Sequence, residues 1–379
     1  MSVIRKSRNH ARGRELRRQV TLVAFLVLIA GAAFPQRQQP SEEQLKKWLQ
    51  NAPEADANHD GKLTAAEAQA YRQKRMGKQR PQQGGAEAPT SPTTSRSRQA
   101  QKPAPDYPDV KYGPYERNLL DVWLAKSDKP APVVIYIHGG GFVHGDKSGV
   151  PALVLQECLK SQISVASIIY RFISTDPFPA PQHDGARAVQ FIRSKAKEWN
   201  IDPAKVAAFG GSAGAGISLF LAFHDDMADP MSSDTVLRQS TRLTCAGSFS
   251  GQTSYDPLVI QQWIGGRAAE HPSILLAYRC KSPDEFKNPA LQKTYDEVSA
   301  IKHLTKDDPP VFMFYTEPDR PLPAEGKPGQ GIHHPIFGHK LKEKMDALGI
   351  ENVYHHKDQY QGDPYMEMLE FFKKQFAKK

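Results

Sequence analysis

Two short runs of small residues carry the chemistry this chain could perform. Gly210-Gly211-Ser212-Ala213-Gly214 sets one serine among glycines, after the apolar run Lys205–Phe209 and before the small, apolar run Ala213–Phe223. A serine on a sharp strand-to-helix turn is lifted clear of its neighbours, and the helix N-terminus offers N–H groups to a negative oxygen. The pattern alone is common; its place between strand and helix makes it specific. The second run, His138-Gly139-Gly140-Gly141-Phe142, follows the apolar stretch Val133–Ile137. Glycines there leave backbone N–H groups unobstructed. Gly140, Gly141 and Ala213 are the candidate oxyanion donors, each worth about 3 kcal/mol in a barrier. No Lys-Ser or Lys-Thr follows in register, so a phosphate loop does not fit. Ser212 is read as the nucleophile of an acyl transfer.

These residues need strand ends to hold them, and the rest of the chain supplies strands in series. Ile163–Tyr170, Val206–Phe209, Leu243–Phe249, Val311–Tyr315 and Asn352–His356 are apolar runs of strand length, like Val133–Ile137. Helical periods lie between them: His183–Trp199, Ala213–Phe223, Phe337–Leu348 and Met366–Phe376. Continuous apolar strands alternating with helices predict an α/β, doubly wound, mostly parallel sheet covered on both faces, with ligands at the strands' carboxyl ends. The segment Gln252–Asp296, with Trp263, His271, Tyr278 and Tyr295, is too long for a simple connection and is expected to wall the substrate site.

Together the two runs resemble the α/β-hydrolase fold. Within it they are similar to hormone-sensitive-lipase-like and bacterial feruloyl- and acetyl-esterase-like carboxylesterases, over nearly all of Tyr112–Phe376. Gly145-Asp146-Lys147, Tyr170-Arg171, Phe178-Pro179-Ala180-Pro181 and His183-Asp184 fit the same resemblance. It implies that Asp184 braces a helix below the site. It also implies an acid after Val311–Tyr315, where Tyr315-Thr316-Glu317-Pro318-Asp319 stands. Asp319 takes that role, with Glu317 the runner-up. The resemblance further implies a histidine before the last helix, but Gly362-Asp363-Pro364-Tyr365 puts an aspartate there. A carboxylate with a reference pKa near 4 is a poor base at neutral pH. Three outcomes stay open: His355 or His356 reaches in from the last strand, His334 or His333 comes from the loop before Phe337, or no base exists. The tandem His333-His334 is favoured. The chain is thus expected to be a serine carboxylesterase acting on a small-molecule or polysaccharide ester. Resemblance suggests acetyl or feruloyl groups, and the alternative is a non-catalytic binding protein.

The N-terminal third reads differently. Seven Lys and Arg residues precede the apolar stretch Val20–Phe34, which is shorter than a membrane span. Ala30-Gly31-Ala32 offers a cleavage site, so residues 1–32 are read as a signal peptide and the protein as exported, periplasmic or extracellular. Membrane contact is expected only through an uncleaved leader. Residues 41–77 form a small helical segment. In it Asp56, Asn58, Asp60, Lys62, Thr64 and Glu67 fall at the ligand positions of a twelve-residue EF-hand loop, with Gly61 at its turn. This resembles EF-hand proteins and implies a structural Ca2+, while catalysis is expected to need no cofactor. Residues 78–107, rich in Pro, Gln, Ser and Thr, are expected to be a disordered linker ahead of a domain over 108–379. The net charge of +9 sits in the leader and in Arg72–Lys102, which argues against a nucleic-acid surface on the folded part. Cys158, Cys245 and Cys280 have no neighbours that suggest a nucleophile.

Overall fold

The computed structural model describes residues 102–378, together with Leu45, Leu49, Ala55, Asp56, residues 60–64 and Glu67. The leader read over 1–32, Asn58 and most of the linker lie outside the described residues. The chain divides into two compact units, Met1–Thr94 and Ser95–Lys379.

The second unit is built on one eight-stranded sheet. Its strands are β1 (Tyr107–Lys111), β2 (Leu119–Trp123), β3 (Ala131–Ile137), β4 (Ser164–Ile168), β5 (Ile201–Gly211), β6 (Cys245–Phe249), β7 (Val311–Tyr315) and β8 (Asn352–His356). They lie in the order β1-β2-β4-β3-β5-β6-β7-β8. β2 is antiparallel to β1 and β4, and every pair from β4 through β8 is parallel. The doubly wound sheet expected from the apolar runs is therefore present. The leading antiparallel pair was not read as strands, because β1 is mostly exposed and has no apolar run to betray it.

Helices cover both faces. They are α1 (Ala152–Lys160), α2 (Ala180–Ser194), α3 (Ala213–Phe223), α4 (Pro257–Ile264), α5 (Pro272–Ala277), α6 (Gln292–Val298), α7 (Ala300–His303), α8 (Ile336–Leu348) and α9 (Pro364–Ala377). Successive strand residues point to opposite faces. Val133, Ile135 and Ile137 accordingly join the core under α2, α3 and α8, while Val134 joins the core under α1 and α9. α3 is buried at every position. Its run of small and apolar residues lets it lie close against β5 and β6, which fixes the turn that precedes it.

The Asp184 carboxylate accepts the backbone N–H and the guanidinium of Arg171 at 2.8–3.1 Å. It braces α2 as the resemblance implied. All three cysteines are free. Burial pushes the Cys158 thiol up to about 12 and raises that of Cys245, so neither is a nucleophile near neutral pH.

In the first unit, Leu63 and Ala55 are buried against Leu45 and Leu49.

Candidate active site

Ser212 sits between β5 and α3 with φ 52° and ψ −119°, a strained conformation for a residue with a side chain. Two glycines make the strain tolerable. A Cβ at Gly210 would lie 2.3 Å from the Ile137 carbonyl oxygen, and one at Gly214 would lie 2.0 Å from the same atom. β3 can therefore pass close beneath the turn only where side chains are missing. The Ser212 N–H donates to the Phe249 carbonyl at 2.9 Å, tying the turn to the end of β6.

The glycine loop after β3 is held from inside. His138 stacks on Tyr170 with ring centroids 4.3 Å apart, and its Nδ1 lies 2.7 Å from the Gly139 carbonyl oxygen. Burial holds the His138 imidazole down at about 4, so it stays neutral and serves as a brace. Gly140, with φ 109°, has room for no side chain, since a Cβ would meet the His144 carbonyl oxygen at 2.1 Å. Gly140, Gly141 and Ala213 line one cavity together with Ser212 and His333.

His333 Nε2 lies 2.8 Å from Ser212 Oγ. Its other nitrogen, Nδ1, lies 3.4 Å from Glu317 Oε1, and both side chains are about one-third exposed. Of the tandem pair, then, one histidine meets the serine. His334 turns away and is buried: its Nε2–H donates to the Arg320 carbonyl at 3.0 Å, and its Nδ1 accepts from the Ile336 N–H at 3.0 Å. The expectation that His334 could be the base is corrected. Its bonds join the acid loop to the histidine loop.

Asp319 is likewise corrected as the partner of the base. Its carboxylate is drawn outward to His339 Nε2 on α8, at 2.7 Å, and about 40% of each side chain is exposed. Glu317, the runner-up, stands two residues beyond β7 and takes the inward position. Its backbone carbonyl accepts from His356 Nε2 at 2.8 Å. Among the remaining candidates, His355 pairs with Glu367 at 2.9 Å, and Asp363 caps α9 by accepting the N–H groups of Tyr365 and Met366. The place where the resemblance looked for a histidine is therefore a helix cap. Sequence reasoning missed the support given by Gln252, whose amide donates to the Ile332 carbonyl at 2.6 Å, one residue before His333. A buried glutamine has no spacing signal that would reveal this.

The cavity above Ser212 measures about 410 Å³. Phe142, Phe178, Tyr255, Ile274 and Ile332 give it apolar walls, and His271 and Ser273 add polar groups beside Gly141. Of the four aromatic and imidazole residues expected to wall the site, only His271 lines it. Tyr278 and Tyr295 are buried in the core, and Trp263 packs on Phe337. Burial and the neighbouring His333 charge both lower the pKa of His271.

In the first unit, the Gly61 N–H donates to Asp56 Oδ2 at 2.9 Å, and the Lys62 N–H donates to Asp60 Oδ1 at 2.8 Å. Gly61 has φ 79°, which the turn demands. The Glu67 carboxylate accepts from the Thr64 N–H and hydroxyl, and the Glu67 N–H donates to the Thr64 hydroxyl, a reciprocal helix cap. Asp56 Oδ1 is buried with no hydrogen-bond partner among the described residues. A buried carboxylate oxygen without a partner is a donor that a hard cation would satisfy.

The BD-FAE family model matches residues 120–327, more than half of the chain. Among curated proteins, the probable carboxylic ester hydrolase LipM of Mycobacterium tuberculosis is 27% identical over 65% of this chain and 58% of its own length. A probable isoprenylcysteine alpha-carbonyl methylesterase of Arabidopsis thaliana is 25% identical over 57% of this chain and 44% of its own. The chain thus spans about half the length of these relatives. Solved structures share the fold. A truncated carbohydrate esterase from gut microbiota has a TM-score of 0.55 at 18% identity, over 74% of this chain and 99% of that one. An acetyl ester-xyloside bifunctional hydrolase from Caldicellulosiruptor lactoaceticus has a TM-score of 0.51 at 19% identity, over 72% of this chain and 93% of that one. A serine elbow and a glycine loop converging on one cavity, at the carboxyl ends of a parallel sheet, agree with what the family model finds: the chain belongs to the BD-FAE family of α/β-hydrolases.

Proposed function

We propose that this protein hydrolyses carboxylic esters through an acyl-enzyme on Ser212, with His333 as base and Glu317 as the acid that orients it. The observation that carries the reading is the 2.8 Å approach of His333 Nε2 to Ser212 Oγ, on a strained turn that opens into the cavity. Ser212 Oγ attacks the ester carbonyl carbon while its proton passes to Nε2. The carbonyl oxygen becomes negative against the N–H groups of Gly140, Gly141 and Ala213, and the imidazolium faces the Glu317 carboxylate. Collapse expels the alkoxide, which takes the proton from Nε2. Water then repeats the sequence on the acyl-serine and frees the carboxylic acid.

The apolar walls of the cavity suit an acyl group, and His271 and Ser273 suit a hydroxylated alcohol. With carbohydrate and acetyl esterases among its structural neighbours, a sugar or polysaccharide ester carrying acetyl or feruloyl groups is the substrate class favoured here. The leader and the loop over Asp56–Glu67 extend the proposal: an exported enzyme whose first unit holds Ca2+ through Asp56, Asn58, Asp60, Lys62, Thr64 and Glu67. A non-catalytic hydrolase fold would not need an imidazole on the serine, so the catalytic reading is preferred. Fluorophosphonate labelling tests it, since an activated serine reacts and an inert one does not. The wild-type protein should label and release nitrophenol from nitrophenyl acetate, and Ser212→Ala should do neither. Labelling that survives Ser212→Ala would falsify the assignment of the nucleophile.

A further inference from the structure

Far from the cavity, three imidazoles gather around one carboxylate. His224 ends α3, His303 ends α7, Glu297 lies on α6 and His183 on α2. One ligand atom each from His224, Glu297 and His303 fall within 4.8 Å of one another. The rings of His224 and His303 are 4.5 Å apart, centroid to centroid. α3 starts at the nucleophile, and twelve residues at 1.5 Å each put this cluster about 18 Å from Ser212 along the helix.

The hydrogen bonds set the tautomers. His224 Nδ1 lies 2.8 Å from the Asp225 carbonyl oxygen, and His303 Nε2 lies 2.8 Å from the Glu297 carbonyl oxygen. A carbonyl oxygen only accepts, so both nitrogens carry hydrogen. In a neutral ring the second nitrogen then keeps a lone pair. For His224 that nitrogen is Nε2, and it faces Glu297 Oε1 at 3.5 Å. The space between them takes a cation, either a proton on the imidazole or a metal ion. Outer N–H groups held by backbone carbonyls are also how metal-binding imidazoles are usually fixed. His183 Nε2 holds the same carboxylate oxygen at 3.2 Å. The fully buried Phe220 ring lies against His224 and His303, and such an apolar floor strengthens charge interactions above it.

We propose that His224, Glu297 and His303 bind a divalent transition-metal ion, with zinc the best fit, and that His183 orients the carboxylate. Imidazole with one carboxylate is a borderline donor set that suits zinc over calcium or magnesium. A tetrahedral zinc with bonds of 2.0–2.1 Å has ligand edges of about 3.3–3.4 Å, close to the 3.5 Å between His224 Nε2 and Glu297 Oε1. All ligands are partly exposed, which leaves the remaining position to water. The ion would pin the far end of the nucleophile helix to α6 and α7, at the end of the segment that walls the cavity.

The test uses the full chain, stripped with chelator and returned to calcium, then titrated with Zn2+ by calorimetry and native mass spectrometry. Wild type should bind one zinc more than His224→Asn or Glu297→Gln. Its thermal midpoint should rise with zinc while those of the variants stay flat. Retained hydrolysis of nitrophenyl acetate shows that the variants are folded, since neither residue lines the cavity. Zinc uptake equal in wild type and both variants would overturn the proposal, as would no uptake by wild type.

Discussion

Glu317 and Asp319 lie two residues apart and face different partners, and that difference underlies the proposed choice of acid. Asp319 meets a surface histidine at 2.7 Å, while Glu317 stands 3.4 Å from the nitrogen of His333 that points away from the serine. Glu317→Gln should lower kcat on the order of 10⁴-fold, as for a lost triad acid, whereas Asp319→Asn should leave kcat within about twofold. Steady-state hydrolysis of a nitrophenyl ester measures both, and the reverse ranking would restore Asp319. The placement of Ser212 and of the glycine loop around one cavity was legible because a sharp strand-to-helix turn and a close loop demand glycines at fixed spacing. Which carboxylate turns inward was not, because the pull of His339 on Asp319 acts through three-dimensional reach. The histidine was legible only as a set of options, since nothing in the pair His333-His334 says which ring meets the serine and which joins two loops.

Elements were readable where burial on both faces forces an unbroken apolar run. β7 and β8 lie where Val311–Tyr315 and Asn352–His356 placed them, and α3 runs over the expected Ala213–Phe223. β1 was missed because an exposed edge strand needs no such run. The glycine loop makes its own prediction. His138 has an ordinary pKa of 6.5, and burial lowers it to about 4 in the fold. Below pH 6.5 the unfolded chain takes up a proton that the folded chain refuses. This residue therefore costs stability as pH falls from 6.5 toward 4, about 3 kcal/mol at the low end, and the loss vanishes above 6.5. Urea unfolding across that range should show a shallower pH slope for His138→Asn than for wild type. Equal slopes would contradict the brace.

At the scale of the whole molecule, the chain has two units. The proposed catalytic groups lie in Ser95–Lys379, and the proposed calcium ligands lie in Met1–Thr94. The proposed calcium loop has Gly61 at its turn, where its spacing put it, while Leu63 packs with Leu45 and Leu49, and one Asp56 carboxylate oxygen is buried without a partner among the described residues. Calorimetry of the full chain should show calcium binding with a dissociation constant on the order of 10⁻⁴–10⁻³ M, as for extracellular modules. Asp56→Asn should abolish that heat and leave ester hydrolysis unchanged. Absence of heat from wild type at millimolar calcium would leave Thr64 and Glu67 as a helix cap and nothing more.

The most direct test of the catalytic account compares the two adjacent histidines in one assay. Replacing His333 with alanine should cut kcat/KM for nitrophenyl acetate by about 10³-fold or more, since only the oxyanion donors and binding would remain. His334→Ala should keep measurable turnover, because that ring supports loops and never meets the serine. A His333→Ala enzyme within tenfold of wild type would contradict the account, for the proton of Ser212 would then be leaving by another route.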